Sequence, residues 1–517
     1  MRRMYPGTYA AQAPNRIAAI MAGTGETVTY GELDRRSAQL AHVLHDAGLR
    51  PGDVVALLTE NNLRAFEVYW AAMRSGLFIT AVNNRLKPDE VAYIVSDSGA
   101  TALIVSAELA ATAEAIAAQT TGVKLRLAYG GPVKGHDRYE ETIAAASDVP
   151  FADQPQGATM LYSSGTTGRP KGVRPTLPER QVSEPGETLA ALAELFFGVT
   201  QDSVYLSPGP IYHAAPLRWC GAIQALGGTV VMMKRFDAEQ ALAAIADRHV
   251  THAQFVPTMF VRMLQLPAET RDRYDISSLR VAIHAAAPCP VEVKQKMIDW
   301  WGPVQVEYYA GTEGNGMTAV DSRTWLTKPG TVGRAVSGTV RICADDGTEL
   351  PAGQAGVVYF ANDEIPFAYH NDPDKTRAAQ HPAHPAWTTL GDIGYLDEDG
   401  FLFLTDRKAF TIISGGVNIY PQETENVLAL LPAVYDVAVI GVPDPEMGES
   451  VAAFVQPAPG AVPGPELERE IIAFVKSKIA SYKAPRTVRF VDSLPRSEAG
   501  KLMKSELKAR YRAAAGD

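Results

Sequence analysis

Residues 162–172 read YSSGTTGRPKG, gathering four Ser or Thr hydroxyls, three glycines and a lysine within eleven positions. The stretch follows an apolar run, ATMLY at 158–162, that reads as a strand. Gly165 and Gly168 let backbone N–H groups approach an anion with no Cβ in the way. Ser163, Ser164, Thr166 and Thr167 add donors, and Lys171 adds a point charge. This is the composition of a loop that handles phosphate. A P-loop needs a lysine followed by Ser or Thr. Here Lys171 stands between Pro170 and Gly172, which argues against a Walker-type ATPase.

A chain of 517 residues is too long for one ordinary core and calls for two or more domains. Its 48 basic and 58 acidic residues leave a formal charge of -10, which argues against a nucleic-acid partner. Cys220, Cys289 and Cys343 are far apart, with no CxxC pair and no metal-ligand spacing, so free thiols in a reducing compartment are expected. The apolar run at 17–22 is too short for a signal sequence, and no stretch of about 18 uncharged apolar residues predicts a transmembrane segment. A cytoplasmic location is the simplest expectation.

Outward from the loop, the chain alternates helix and strand. TYGE at 29–32 predicts a capping box opening a helix through Leu44, with Leu33, Leu40, Val43 and Leu44 on one face. Strands are expected at 54–58, 78–82 and 102–105, with helices over 63–74 and from Pro88. Beyond the loop come a helix over 187–198 and strands at 204–206, 227–231, 254–256 and 279–284. Helices open near Asp237 and at Pro257, a residue suited to a first turn. This alternation implies an α/β fold with mostly parallel sheets. From about Pro329 the glycine-rich strands at 338–343 and 356–360 predict a small antiparallel, β-barrel-like subdomain. A boundary at Asp406 divides a large N-terminal domain, 1–405, from a small α+β C-terminal domain, 406–517, with strands at 437–442 and 451–455 and a helix over 466–478.

Further stretches carry chemistry. EYYAGTEG at 307–314 follows a strand and sets an aromatic ring, a hydroxyl and a carboxylate at the strand end, where open α/β sheets bind ligands. HAAAP at 284–288, WTTLGDIG at 387–394, DRK at 406–408, IISGGVNIYP at 412–421 and PRSEAGK at 495–501 complete the set. In this order they resemble, over nearly the whole chain, the motifs of the acyl-adenylate-forming enzymes: acyl-CoA synthetases, luciferases and the adenylation domains of peptide synthetases.

The resemblance implies ATP binding by Ser163, Ser164, Gly165, Thr166, Thr167, Gly168, Lys171, Ala286, Ala287, Pro288, Glu307, Tyr308, Tyr309, Thr312, Asp392, Arg407 and Lys501. Within it, Tyr309 stacks on adenine, Thr312 contacts the α-phosphate, Asp392 and Arg407 hold the ribose, and Glu313 with Thr166 holds Mg2+. A single carboxylate beside phosphates suits a cation that prefers hard oxygen ligands. Lys501 is the catalytic lysine, acting with Thr166, Glu313 and His213. Ser414, Gly415 and Gly416 match the loop that admits coenzyme A. Ala409 matches the hinge about which the C-terminal domain moves. Tyr212, His213, Trp219, Phe255, Met259, His284, Gly311 and Met317 are expected around the acyl group. Three positions depart from the pattern: Ala310 where Gly is usual, Leu390 where Thr is usual, and Ala409 where Lys or Asp is usual.

The implied activity is that of a free-standing ATP-dependent acid:CoA ligase working through an acyl-AMP, its substrate a fatty acid or an aryl or arylpropenoate acid. Two other readings stay open: an adenylating enzyme that loads a carrier protein, which would be separate because no carrier domain follows Asp517, and a non-catalytic nucleotide binder. A homodimer is also left open.

Overall fold

The capping box forms as its spacing requires. Thr29 and Glu32 exchange side-chain and backbone hydrogen bonds at the start of helix Tyr30–Asp46, whose Leu33, Leu40 and Leu44 are buried while Val43 lies half-buried at the edge. The computed structural model describes residues 4–163, 170–186, 188–415, 417–496 and 502–515. Ser164, Gly165, Thr166, Thr167, Gly168, Gly416 and Lys501 lie outside the described residues, as do the side chains of Ser163 and Arg407.

Two sheets frame the N-terminal domain. The first is wholly parallel, in the order Asp137–Arg138, Leu125–Tyr129, Ala100–Ser106, Val54–Leu58, Phe78–Val82, Ala158–Thr159. Its central strands, VVALL and FITAV, are buried along their whole length, as a parallel sheet covered on both faces demands. The second has nine strands, of which six are parallel: Gln305–Ala310, Val281–His284, His252–Phe255, Val204–Ser207, Thr229–Met232 and Ile17–Met21. One core joins the facing sides of the two sheets, with Leu57 and Ile79 from the first, Tyr205, Val230 and Ile283 from the second, and Leu40, Trp70 and Trp219 from the helices between them.

The run at 158–162 is two strands rather than one. After Thr159 the Met160 N–H donates to the Ile79 carbonyl (2.9 Å) and its carbonyl accepts from the Thr80 hydroxyl (2.9 Å). The chain then turns out of the parallel sheet. Leu161–Ser163 pairs antiparallel with Lys171–Arg174, which pairs in turn with Ala368–Tyr369. The two pieces differ in their pairing partners, Phe78–Val82 for the first and Lys171–Arg174 for the second, and the break falls where the partner changes.

Thr339–Cys343, Gly356–Ala361, Trp387–Leu396 and Leu402–Arg407 form the expected antiparallel subdomain, tied to the large sheet by a bridge between Gly333 and Leu402. The last of these strands runs through Arg407, and a 3-10 turn, Lys408–Phe410, follows. Beyond it the C-terminal domain has its own five-stranded sheet. Helices Pro421–Leu428 and Pro465–Lys478 cover one face over Val439, Ala453 and Val455, and Leu507 of helix Lys504–Ala515 covers the other against Ile440 and Phe454. No helix among the described residues is long and apolar enough to cross a membrane.

Gly157 enters this frame just before Ala158–Thr159, where an added Cβ would stand 2.4 Å from the Leu77 carbonyl oxygen and 2.5 Å from that of Ala72. Backbone atoms cannot swing aside as a side chain can. Gly157→Ala is expected to lower stability by about 1–3 kcal/mol, read as an earlier urea midpoint of the N-terminal domain, whereas Gly99→Ala, with open space around it, should cost only its backbone strain.

Candidate active site

A cleft of about 2200 Å³ opens where the C-terminal ends of the parallel strands meet the antiparallel subdomain and the C-terminal domain. That is more room than a single small ligand needs. Its lining includes Lys171, Tyr212, His213, Trp219, Phe255, Met259, Ala286, Ala287, Pro288, Glu307, Tyr308, Tyr309, Gly311, Thr312, Glu313, Met317 and Asp392, so most of the residues expected at the site are brought together. Ser414, Gly415 and His284 do not line it.

One end is built for charge. Lys171 extends from the hairpin strand, and its ammonium lies 5.0 Å from the ring centroid of Tyr369 on the neighbouring strand. The Tyr369 hydroxyl donates to Glu313 Oε1 (2.9 Å), joining the phosphate-loop hairpin to the EYYAGTEG segment. Burial lowers the pKa of Lys171, the like charge of Lys375 adds to this, and Glu313 and Asp372 oppose it. Arg218, on helix Ala214–Ala225, braces the same segment by donating to the Thr159 hydroxyl (2.9 Å) and the Thr312 carbonyl (3.4 Å). Sequence reading found neither Tyr369 nor Arg218. The helix that carries Arg218 is apolar over most of its surface and gives no sharp helical stripe.

The other end joins an aromatic ring to a carboxylate. The Tyr309 hydroxyl donates to Asp392 Oδ2 (2.6 Å), and the Tyr309 ring stacks on Phe360 with centroids 5.9 Å apart. Asp392 and Arg407 are direct backbone partners on adjacent antiparallel strands. Opposite them the small-residue wall carries Ala286 at φ +73°, a left-handed conformation that costs a non-glycine residue about 1–2 kcal/mol. Gly311 is held tightly: an added Cβ would lie 2.7 Å from Leu390 Cδ1 and 2.9 Å from Glu313 Oε2. The departure at Leu390 therefore fills the space beside Gly311.

Strand alternation separates the residues expected around the acyl group. Phe255, His284 and Glu307 occupy paired positions on three neighbouring strands, and that row packs under helices Pro257–Leu264 and Val291–Trp301. Phe255 meets Phe260 and Trp301 there, with centroids 5.5 and 5.6 Å away, and Met259 joins the same cluster. Tyr308 points to the opposite face, toward Trp219 (6.2 Å between centroids) and Gln254, whose Nε2 donates to the Tyr308 hydroxyl (2.8 Å). Tyr308 thus parts from its neighbour Tyr309. Burial raises the Tyr308 phenol, which keeps it protonated, although Trp219 and Gln254 act the other way. Tyr212 and His213 stand at the mouth before helix Ala214–Ala225, their rings 4.5 Å apart.

Lys294 and Glu307 form a buried ion pair at 2.6 Å, and the His284 ring lies 3.7 Å from the same carboxylate oxygen. Burial raises the Glu307 carboxyl against the pull of Lys294. His284 is fully buried, neither ring nitrogen has a hydrogen-bond partner among the described residues, and burial followed by the charge of Lys294 holds its pKa well below the usual 6.5.

The C-terminal domain closes the cleft with two further pairs. Arg496 makes a two-pronged contact with Asp436 (2.6 and 2.7 Å), and buried Lys504 contacts Glu425 (2.9 Å). These flank the segment that carries Lys501. Ala409 is exposed in the 3-10 turn. Gly415 takes φ +57° with Met447 close beside it.

The sequence pattern of the family described as AMP-binding enzyme matches residues 8–369, and that of the AMP-binding enzyme C-terminal domain matches residues 423–501. The chain belongs to this family, the acyl-adenylate-forming enzymes, and within it to the acyl-CoA synthetases. A feruloyl-CoA synthase of Amycolatopsis sp is 34% identical over 514 residues, covering 98% of each chain. The fatty acid–[acyl-carrier-protein] ligase ScoC of Streptomyces coeruleorubidus is 34% identical over 94% of this chain and 92% of its own. The crystal structure of ATP-bound MatB from Rhodopseudomonas palustris superposes with a TM-score of 0.82 at 28% identity, over 99% of this chain and 100% of that one.

A histidine depressed by folding takes up a proton in the unfolded chain before it does so in the folded one. The stability held by neutral His284 is present above pH 6.5 and is lost as pH falls from there toward its folded value. His284→Leu removes this proton uptake. Its urea-derived stability should fall less steeply below pH 6.5 than that of the parent, the slopes differing by up to about 1.4 kcal/mol per pH unit; parallel slopes would contradict the assignment.

Proposed function

We propose that the chain activates a carboxylic acid as its acyl-adenylate in one half-reaction and transfers the acyl group to the thiol of coenzyme A in the next. The observation that carries this is one cleft with a Lys171–Tyr369–Glu313 cluster at one end and a Tyr309–Asp392 hydrogen bond at the other. A triphosphate and a nucleoside need those two chemistries at that relation.

Tyr309 and Asp392, with Arg407 across the strand pair, orient the nucleoside, while Lys171 and the glycine loop hold the outer phosphates. Glu313 fits a magnesium ion: Oε1 is engaged by Tyr369, Oε2 accepts no hydrogen bond from a described residue, and the side chain borders the cleft. With Thr166 it would hold the ion, which supplies neutralisation of phosphate charge. The acid carboxylate attacks the α-phosphorus, forming the acyl–phosphate bond as the bond to pyrophosphate breaks. Lys501 and the Thr312 region stabilise charge on the α-phosphate oxygens, so positioning and electrostatics do most of the work. The division at Asp406 and the hinge at Ala409 then let the C-terminal domain rotate, withdrawing Lys501 and bringing Ser414, Gly415 and Gly416 to the cleft. That Ser414 and Gly415 do not line the cleft supports two arrangements and not one. The CoA thiolate attacks the acyl carbonyl and AMP leaves.

The acid is a fatty acid or an aryl or arylpropenoate acid, and the proposed setting is the cytoplasm. A carrier-protein thiol is the second reading, favoured by the likeness to ScoC.

Acid-dependent pyrophosphate release from Mg-ATP, with acyl-CoA appearing only when CoA is added, is the expected result. Thioester formation only with a carrier protein would select the second reading. Lys501→Ala should lose adenylation by at least about a hundredfold yet still convert supplied acyl-AMP and CoA to acyl-CoA; normal pyrophosphate release by this variant would sink the role given to the lysine.

A further inference from the structure

One hydrogen-bonded chain beside the cleft is used by no step of the proposed reaction. The Tyr205 hydroxyl donates to Gln254 Oε1 (3.1 Å), and Gln254 Nε2 donates to the Tyr308 hydroxyl (2.8 Å). Tyr308 retains one proton, and no described residue accepts it. The three residues come from separate parallel strands, Val204–Ser207, His252–Phe255 and Gln305–Ala310, and point to the same face of the sheet. Each is at least nine-tenths buried, and all three line the cleft.

The surroundings of this chain are flat and aromatic. The Trp219 indole stacks on Tyr205 (6.3 Å, 13° between planes) and lies 6.2 Å from Tyr308, with Phe197 edge-on behind it at 5.0 Å. Buried polar groups are normally satisfied, because leaving a donor unmet in an apolar site is costly. A saturated chain laid against Tyr308 would bury its proton unmet. A ring that carries an oxygen would slot against the aromatic faces and accept that proton.

Resting on the acid:CoA ligase reading, we infer that the acid is a compact aromatic one with a hydroxyl, alkoxy or carbonyl oxygen on its ring, and that Tyr308, backed by Gln254 and Tyr205, selects it through that oxygen. Tyr308 is a specificity-determining residue. The relay from Tyr205 through Gln254 polarises the Tyr308 hydroxyl and fixes its direction. A site built to bond a substrate oxygen rejects the analogue that lacks it more strongly than an apolar pocket can reject an extra group.

The test measures kcat/KM for pyrophosphate release with cinnamate, 4-hydroxycinnamate, 4-methoxycinnamate, benzoate, 4-hydroxybenzoate and dodecanoate, in the parent chain and in Tyr308→Phe. The parent should favour at least one oxygenated acid over its unsubstituted partner, and over dodecanoate, by about tenfold or more. Tyr308→Phe should bring that ratio to within about threefold, and Gln254→Leu should reduce it in part. A parent ratio near one, a preference for dodecanoate, or an equal loss across all acids in Tyr308→Phe would overturn the inference while leaving the ligase reading intact. Absence of pyrophosphate release with every acid would overturn the ligase reading instead. Calorimetric binding of 4-hydroxycinnamate, 4-methoxycinnamate and 4-hydroxybenzoate, each against its unsubstituted partner, then decides the pocket by itself, tighter binding of at least one oxygenated acid supporting the inference and equal or absent binding across all pairs overturning it.

Discussion

A β-strand can offer consecutive side chains only to opposite faces, and strand Gln305–Ala310 uses that constraint to keep two chemistries apart. Tyr309 goes to the nucleoside end, where Asp392 fixes its hydroxyl. Tyr308 goes to the other face, where Gln254 fixes its own. Beneath them Glu307 is pinned by Lys294, so the strand that carries both rings cannot slide. A one-residue slip would exchange the faces and set each ring against the wrong partners. The buried ion pair need not add stability; a pair removed from water roughly breaks even, while removing one partner strands the other. Its value here lies in register.

The elements legible in the sequence were those with local signals. The capping box at 29–32, the largely apolar strands at 54–58 and 78–82, and Pro257 at a first turn each carry their instructions within a few residues. Helix Ala214–Ala225 carries no such signal because it is covered on most sides, and the break after Thr159 follows from which strands are available to pair. The same division runs through the site. Lys171, Tyr309, Glu313 and Asp392 sit in motifs with their own composition. Tyr369, Arg218, Lys294 and Gln254 do not, since each matters only through a partner on another element, 13 residues away for Lys294 and about 50 or more for the others. His284 was expected around the acyl group by its position in the chain, whereas strand alternation turns it beneath the sheet beside Glu307 and off the cleft lining.

The departures from the family pattern become interpretable in these terms. Leu390 presses on Gly311, whose missing Cβ is the only reason both fit, so the leucine and the glycine are one packing unit. At Ala409 the flanking residues are tied down while the alanine is not: Asp406 accepts from the Gln422 backbone N–H (3.0 Å), and the Lys504 ammonium lies 5.5 Å from the Phe410 ring centroid. A rotation needs backbone freedom at one point and stiffness on either side. In the proposed rotation the exposed alanine, without a charged side chain to engage either domain, would supply the first, and Asp406 and Phe410 would supply the second. Under the proposed rotation, an alanine in place of the usual charge leaves no charged side chain at this position to favour either arrangement. Arg496 with Asp436 and Lys504 with Glu425 are both contacts within the C-terminal domain, unchanged by any rotation of it, so neither pair can favour one arrangement over another.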